Sequence, residues 1–154
     1  MAYLETKQVT NWLLSRQSMT PKKLQKMLYY CYSWGLVFFN EDGSNIENKL
    51  FDAKFEAWVH GPVIADIYHE YKEYGFNEIK QVDKPELTLT EEVEDLLNQV
   101  FEAYSQYNGN ELEALTHAER PWIEARGDAS PLEPSHNVLN DKTIYEFYYQ
   151  RMVD

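Results

Sequence analysis

The sequence predicts a mostly α-helical fold: a compact single-domain bundle of about six or seven helices spanning residues 1–154, with at most a short β-hairpin. Three observations predict it. Apolar residues recur at intervals of three and four along most of the chain, the period of a one-sided helix. Thr20, Thr90, Asn110 and Asp141 stand where those segments begin, and such residues cap helix N-termini with a side-chain oxygen. Alternation, the period of a strand, is confined to Phe51, Ala53, Phe55 and Ala57. The hairpin, if formed, pairs the 50–59 segment with residues around 80–89.

The elements follow in order. Leu4 to Ser15 reads as a first helix, with Val9, Trp12, Leu13 and Arg16 on one side. Thr20-Pro21 restarts the chain, because threonine caps and proline fits the first helical position. Leu24, Met27, Leu28, Cys31, Trp34 and Phe38 then define a long buried helix ending near residues 40–43, with Lys22, Lys23 and Lys26 on its polar face. Residues 40–45 have turn chemistry. Pro62 is expected to open a third helix running to Tyr74, with Gly75 after its end. Thr90 caps a fourth, whose stripe holds Val93, Leu96, Leu97, Val100, Phe101 and Tyr104. A short helix is expected from Asn110, with Glu113 completing a capping box. Another turns through residues 116–122 and ends by Gly127. Residues 127–140 read as a surface loop. Asp141 is expected to cap a last helix with Ile144, Phe147, Tyr148 and Met152 inward.

Composition narrows the function classes. The 154 residues carry 26 acidic against 14 basic side chains, net −12. That disfavours bulk binding to nucleic acid or to anionic membrane, so neither is expected as a partner. The charge is uneven: residues 1–40 have five basic side chains and one acidic, net +4. A basic patch on an acidic body steers acidic partners. Twelve tyrosines suit a protein that binds another. The N-terminal residues lack a signal-peptide core and no apolar run reaches membrane-helix length, so a cytoplasmic protein is expected. Cys31 is the sole cysteine, which leaves no intrachain disulfide and no Cys-rich zinc site.

The chain offers few candidates for chemistry. Phe55-Glu56-Ala57-Trp58-Val59-His60-Gly61-Pro62-Val63 pins an indole and an imidazole at a corner between two elements. His69 lacks the second histidine of a zincin helix, so no metal is expected. There is no Gly-x-Ser-x-Gly and no phosphate-cradling glycine loop. Thr116 and Glu119 have capping-box spacing, which accounts for the hydroxyl beside His117. No catalytic residue and no cofactor are assigned; an enzyme, if there is one, would use His60, His117 and Glu56 around a cleft.

Three blocks resemble the Panacea-domain family, which includes SocA-like antitoxins and phage-associated GepA-type proteins. The first is residues 19–30 with Trp34, the second Phe55 to Val63 running on to Ile67-Tyr68, and the third Leu112 to His117 with Pro121-Trp122. The resemblance implies a non-enzymatic antitoxin that neutralises a cognate toxin by direct contact, or presents it to a host protease. It carries over, as partner-binding or architectural positions, Pro21, Lys22, Leu24, Lys26, Trp58, Gly61, Pro62, Thr116, His117 and Trp122, with His60 added as the residue where this chain departs from the family's usual lysine or tyrosine. An alternative it leaves open is a prophage accessory protein that binds a host protein.

Overall fold

One helix organises the computed structural model, which describes residues 1–153. This is α2 (Pro21–Phe39), and 14 of its 19 residues are buried. It touches α1 (Thr6–Arg16), α3 (Ala65–Tyr71), α4 (Glu91–Tyr104), α5 (Gly109–His117) and α7 (Asp141–Val153). α6 (Arg120–Arg126) packs between α5 and α7. These are the seven α-helices among the described residues, joined by one two-stranded sheet and a 3-10 turn at Lys72–Tyr74. The mostly α fold is therefore as the periodicity predicts. Among the described residues no helix is long and apolar enough to cross a membrane.

The caps explain the helix starts. Thr20 accepts from the Lys23 N–H, and Thr90 from the Val93 N–H. Two expected starts move. α5 begins two residues early, because Asn108 and Glu111 form the reciprocal capping box in place of Asn110 and Glu113. At α7 the cap is Asn140, whose side-chain Oδ1 accepts from the Thr143 N–H; Asp141 instead accepts from the Tyr32 hydroxyl at 2.7 Å. Met152, expected inside, is 47% exposed.

The hairpin differs most from expectation. β1 (Glu56–Trp58) pairs antiparallel with β2 (Gly61–Val63), not with residues 80–89. That later segment lies without strand structure beside the α1–α2 connection, where the Ile79 N–H bonds to Met19 and the Val82 N–H to Leu14. Residues 137–139 flank β1 on its other edge. Pro62 thus sits in a strand and does not open a helix; α3 starts three residues later. A proline is tolerated there because it faces Ala57 across a pair that uses no hydrogen bond between the strands. The Ala57 N–H points away, to the Asn137 carbonyl, and the Ala57 carbonyl accepts from Arg126. Among the described residues positive φ occurs only at Gly61, Gly75 and Gly127. The tight turn at Val59-His60 is consequently completed by Gly61 at φ 106°.

The core runs along α2. The tyrosines are largely part of it: Tyr29, Tyr30, Tyr32 and Tyr148 are almost wholly buried, so they do not furnish the tyrosine-rich surface that composition suggested. Cys31 is buried beside them, and burial pushes its thiol up to about 12.

Candidate functional site

The site is built around the hairpin turn, and α2 builds most of it. Gln25 grips the end of β2 with both ends of its amide: its oxygen accepts from the Ile64 N–H at 2.9 Å and its nitrogen donates to the Ile64 carbonyl at 3.0 Å. Its neighbour Lys26 donates to the Pro62 carbonyl at 3.0 Å. Two side chains thus take the place of a third strand and satisfy a buried sheet edge. From the opposite side α6 does the same. Trp122 donates its indole N–H to the Trp58 carbonyl at 2.9 Å, and Arg126 donates to Ala57 at 3.1 Å.

Lys26 is only 1% exposed, so the expected polar face of Lys22, Lys23 and Lys26 does not exist as such. Lys23 is also buried and donates to the Ser105 carbonyl; Lys22 alone of the three reaches the surface. Burial lowers the Lys26 ammonium to about 7, with Lys22 adding to the effect and Glu113 opposing it. Gly61 makes room for it. A Cβ on Gly61 would stand 2.6 Å from Lys26 Cε and 2.9 Å from the buried Thr116 Oγ1. Gly61, Lys26 and Thr116 therefore form one contact, drawn from the three separate sequence blocks.

Thr116 is not a cap. It lies inside α5 and donates to the Glu113 carbonyl at 2.9 Å, which satisfies its hydroxyl within its own helix. Glu119 does precede α6, but its side chain makes no cap bond. Instead its carboxylate turns inward to receive Tyr30 and Tyr148.

Glu113 joins the remaining predicted positions. Its carboxylate lies 2.6 Å from Lys22 Nζ, 3.2 Å from His60 Nδ1 and 3.9 Å from His117 Nε2. Burial pushes its carboxyl up, but Lys22 and His60 outweigh that and hold it below the usual range. The His117 ring stacks on Trp122, centroids 4.2 Å apart and 19° from parallel. Burial holds His117 below its ordinary range although Glu113 pulls the other way. The sequence reading missed Glu113 as a site residue, although its four-residue spacing from His117 places both on one helix face. Glu56, the third residue of the enzymatic alternative, engages other partners: Trp58 Nε1 at 2.9 Å and His136 Nδ1 at 2.7 Å. Trp58 is half-buried, set edge-on to Tyr68, and is not the core anchor that its place in the motif suggested.

Beside this cluster lies a groove of about 500 Å³. The start of α2, the hairpin, α3 and the start of α5 form its walls. Pro21, Lys22, Lys26, Trp58 and His60 line it; Gly61, Pro62 and Thr116 do not, but Gly61 and Thr116 pack on the Lys26 side chain and Pro62 accepts its hydrogen bond. Of its outer wall the second block reached only Tyr68; Tyr71, Lys72 and Phe76 lie beyond that block and carry no motif of their own.

A family model described as "Antitoxin SocA-like, Panacea domain" matches residues 24–123. The match covers the part of α2 after its first turn, the hairpin, α3, α4, α5 and the start of α6. Neither a curated protein nor a solved structure matches the chain.

Proposed function

The chain belongs to the SocA-like, Panacea-domain antitoxin family, and from that premise we propose that it is the non-catalytic antitoxin of a toxin–antitoxin pair and neutralises its toxin by direct binding. The observation that carries the reading is the family match, which spans the hairpin, α3 and the start of α5 in the groove wall but begins at residue 24, after Thr20, Pro21 and Lys22. The chemistry of the site supports it. The histidines face a carboxylate already committed to Lys22, and the stem of Lys26 is locked under Gly61. Such an arrangement spends its polar groups on holding a surface in shape. A groove with aromatic walls and a few fixed polar groups is the form a recognition surface takes.

Co-expression with the product of the adjacent reading frame tests the reading. The expected outcome is that this product arrests growth alone, that this chain restores it, and that the two co-purify. A harmless product, or arrest that this chain does not relieve, rejects it. Repeating the rescue in a protease-deficient host separates blocking from delivery to a protease: a blocking antitoxin rescues equally in both hosts.

A further inference from the structure

The groove differs electrically from the rest of the molecule. The chain carries 26 acidic side chains against 14 basic, yet among the described residues that line the groove there is no aspartate or glutamate. Lys22 and Lys72 present their ammonium groups to it, Lys22 shared with Glu113 just outside the lining, while Lys26 is buried beneath it and His60 faces the same carboxylate. Two helices also begin at its edge. Gly109, at the start of α5, comes so close to α2 that a Cβ there would stand 3.2 Å from the Lys23 nitrogen. The amides of Gly109 and Asn110, both in the groove wall, lie in the first turn and have no acceptor within their own helix. The α2 first turn carries no acidic residue to offset its positive end.

The other half of the groove is apolar. Trp58 and Tyr68 meet edge to face with centroids 4.8 Å apart, and Tyr71 continues the wall. Phe76 stands at the rim, 97% exposed. With the half-exposed Tyr68 and Trp58 it extends one apolar wall, and contiguous exposed apolar surface is what interaction sites present. The volume falls within the roughly 300–1,000 Å³ usual for pockets that take a ligand, and its mixture of cations and aromatic faces fits carboxylates spaced around an apolar side chain.

We propose that this groove docks an acidic segment of the protein partner, with carboxylates set against Lys22, Lys72 and the two helix starts and an aromatic or branched apolar side chain seated between Trp58, Tyr68 and Phe76. The assignment rests on the protein-binding reading above and adds the surface and the partner's chemistry. Lys22 already spends two of its three donors on Asn110 and Glu113, which fixes its head at the groove edge without capping it.

The test uses the full chain labelled for two-dimensional amide NMR. One probe is a short capped peptide containing Glu-Asp-Phe-Leu-Glu-Asp; a second has lysine at each acidic position; the third is inorganic phosphate. The acidic peptide is expected to shift amides of residues 20–26, 58–76 and 108–110. The doubly substituted Lys72→Glu, Phe76→Ser chain, changed only at exposed positions, is expected to bind it about tenfold more weakly. Equal binding of the lysine peptide, the same shifts from phosphate alone, shifts elsewhere on the surface, or undiminished binding by the double variant overturns the proposal. Co-expression distinguishes the two levels. If the natural chain neutralises its neighbour's product and the double variant does so equally well, the groove assignment fails and the antitoxin reading stands. If the natural chain does not neutralise, the antitoxin reading fails and the peptide result still decides the groove.

Discussion

Two buried ionisable groups, one turn apart along α2, are treated in opposite ways. Lys26 points toward the hairpin and borders the groove; Tyr30, four residues on, points toward Glu119 in the aromatic cluster. Lys26 donates a hydrogen bond to a main-chain carbonyl, and burial lowers its ammonium to about 7. Glu119 takes hydrogen bonds from Tyr30 at 3.1 Å and Tyr148 at 2.6 Å, yet burial still holds its carboxyl above the usual range. Around Glu119 the packing is closed: Tyr30 stacks on Tyr104 with centroids 4.0 Å apart, and Trp34 donates to the Tyr104 hydroxyl. Around Lys26 it is open on one side. The aromatic region fixes the body of the fold, whereas the lysine region holds a loop against it. A surface that must keep its shape and stay accessible cannot be built from apolar packing alone, so main-chain groups of the hairpin are held by polar side chains instead.

The largest expected effect breaks the open region at its tightest contact. Gly61→Ala places a methyl group against Lys26 and Thr116 at a residue with φ 106°. Gly75 provides the control, since its φ is 58° but nothing lies within 4 Å of the added carbon. Backbone strain alone should cost Gly75→Ala about 1–2 kcal/mol. Gly61→Ala should cost about 2 kcal/mol more, because the clash adds to the strain. Denaturant melts of the two variants measure the difference, and equal losses would show that Lys26 yields without cost.

Next come Lys26 and the Glu119 carboxylate that Tyr30 meets, read through pH. Lys26 binds its proton less tightly in the folded chain than its ordinary value of 10.5, so its contribution is complete above that value and is lost as pH falls toward about 7. Stability should therefore rise between pH 7 and roughly 9.5, below the ionisation of tyrosines in the unfolded chain. Lys26→Met should flatten that rise while costing about 1 kcal/mol for the orphaned Pro62 carbonyl. Glu119 has the opposite sign. Its folded value is raised, so its contribution is present below its ordinary value of 4.5 and is lost as pH climbs through the raised one. Glu119→Gln keeps an acceptor for both tyrosines, should cost about 1 kcal/mol, and should remove only that acidic-side slope. Stability curves across pH for the three chains check both signs at once.

The two regions were not equally legible in the sequence. The helices were, because Thr20 and Thr90 cap them and their stripes repeat every three to four residues. Within α2 the same periodicity carried no information about Lys26. A helix buried on nearly every side has no solvent face to assign, and charge type alone put Lys23 and Lys26 in water. Gly61-Pro62 read as a helix start because proline suits that position, and the sequence gives no sign that Ala57 turns its N–H toward Asn137, eighty residues away. Thr116 and Glu119 matched a cap in spacing, but the buried tyrosine hydroxyls claimed the carboxylate. Lys22, His60 and His117 come from three separate stretches of sequence and meet at Glu113, whose role depends on tertiary contacts.

The smallest expected effect sharpens the comparison most directly. His60 was the candidate most easily taken for chemistry, since it is an imidazole at a corner and 3.2 Å from a carboxylate. Its side chain is 68% exposed, however, and an exposed ion pair contributes little after solvent screening and side-chain ordering. Lys22 approaches the same carboxylate more closely, at 2.6 Å, and is the larger influence on it. His60→Ala should therefore change stability by no more than about 0.5 kcal/mol, and the turn should survive because Gly61, not His60, supplies its positive φ. A loss above about 1 kcal/mol in the same denaturant melts would mean that Glu113 is held chiefly from the hairpin side, and that the open region depends on its exposed rim as much as on the buried lysine beneath it.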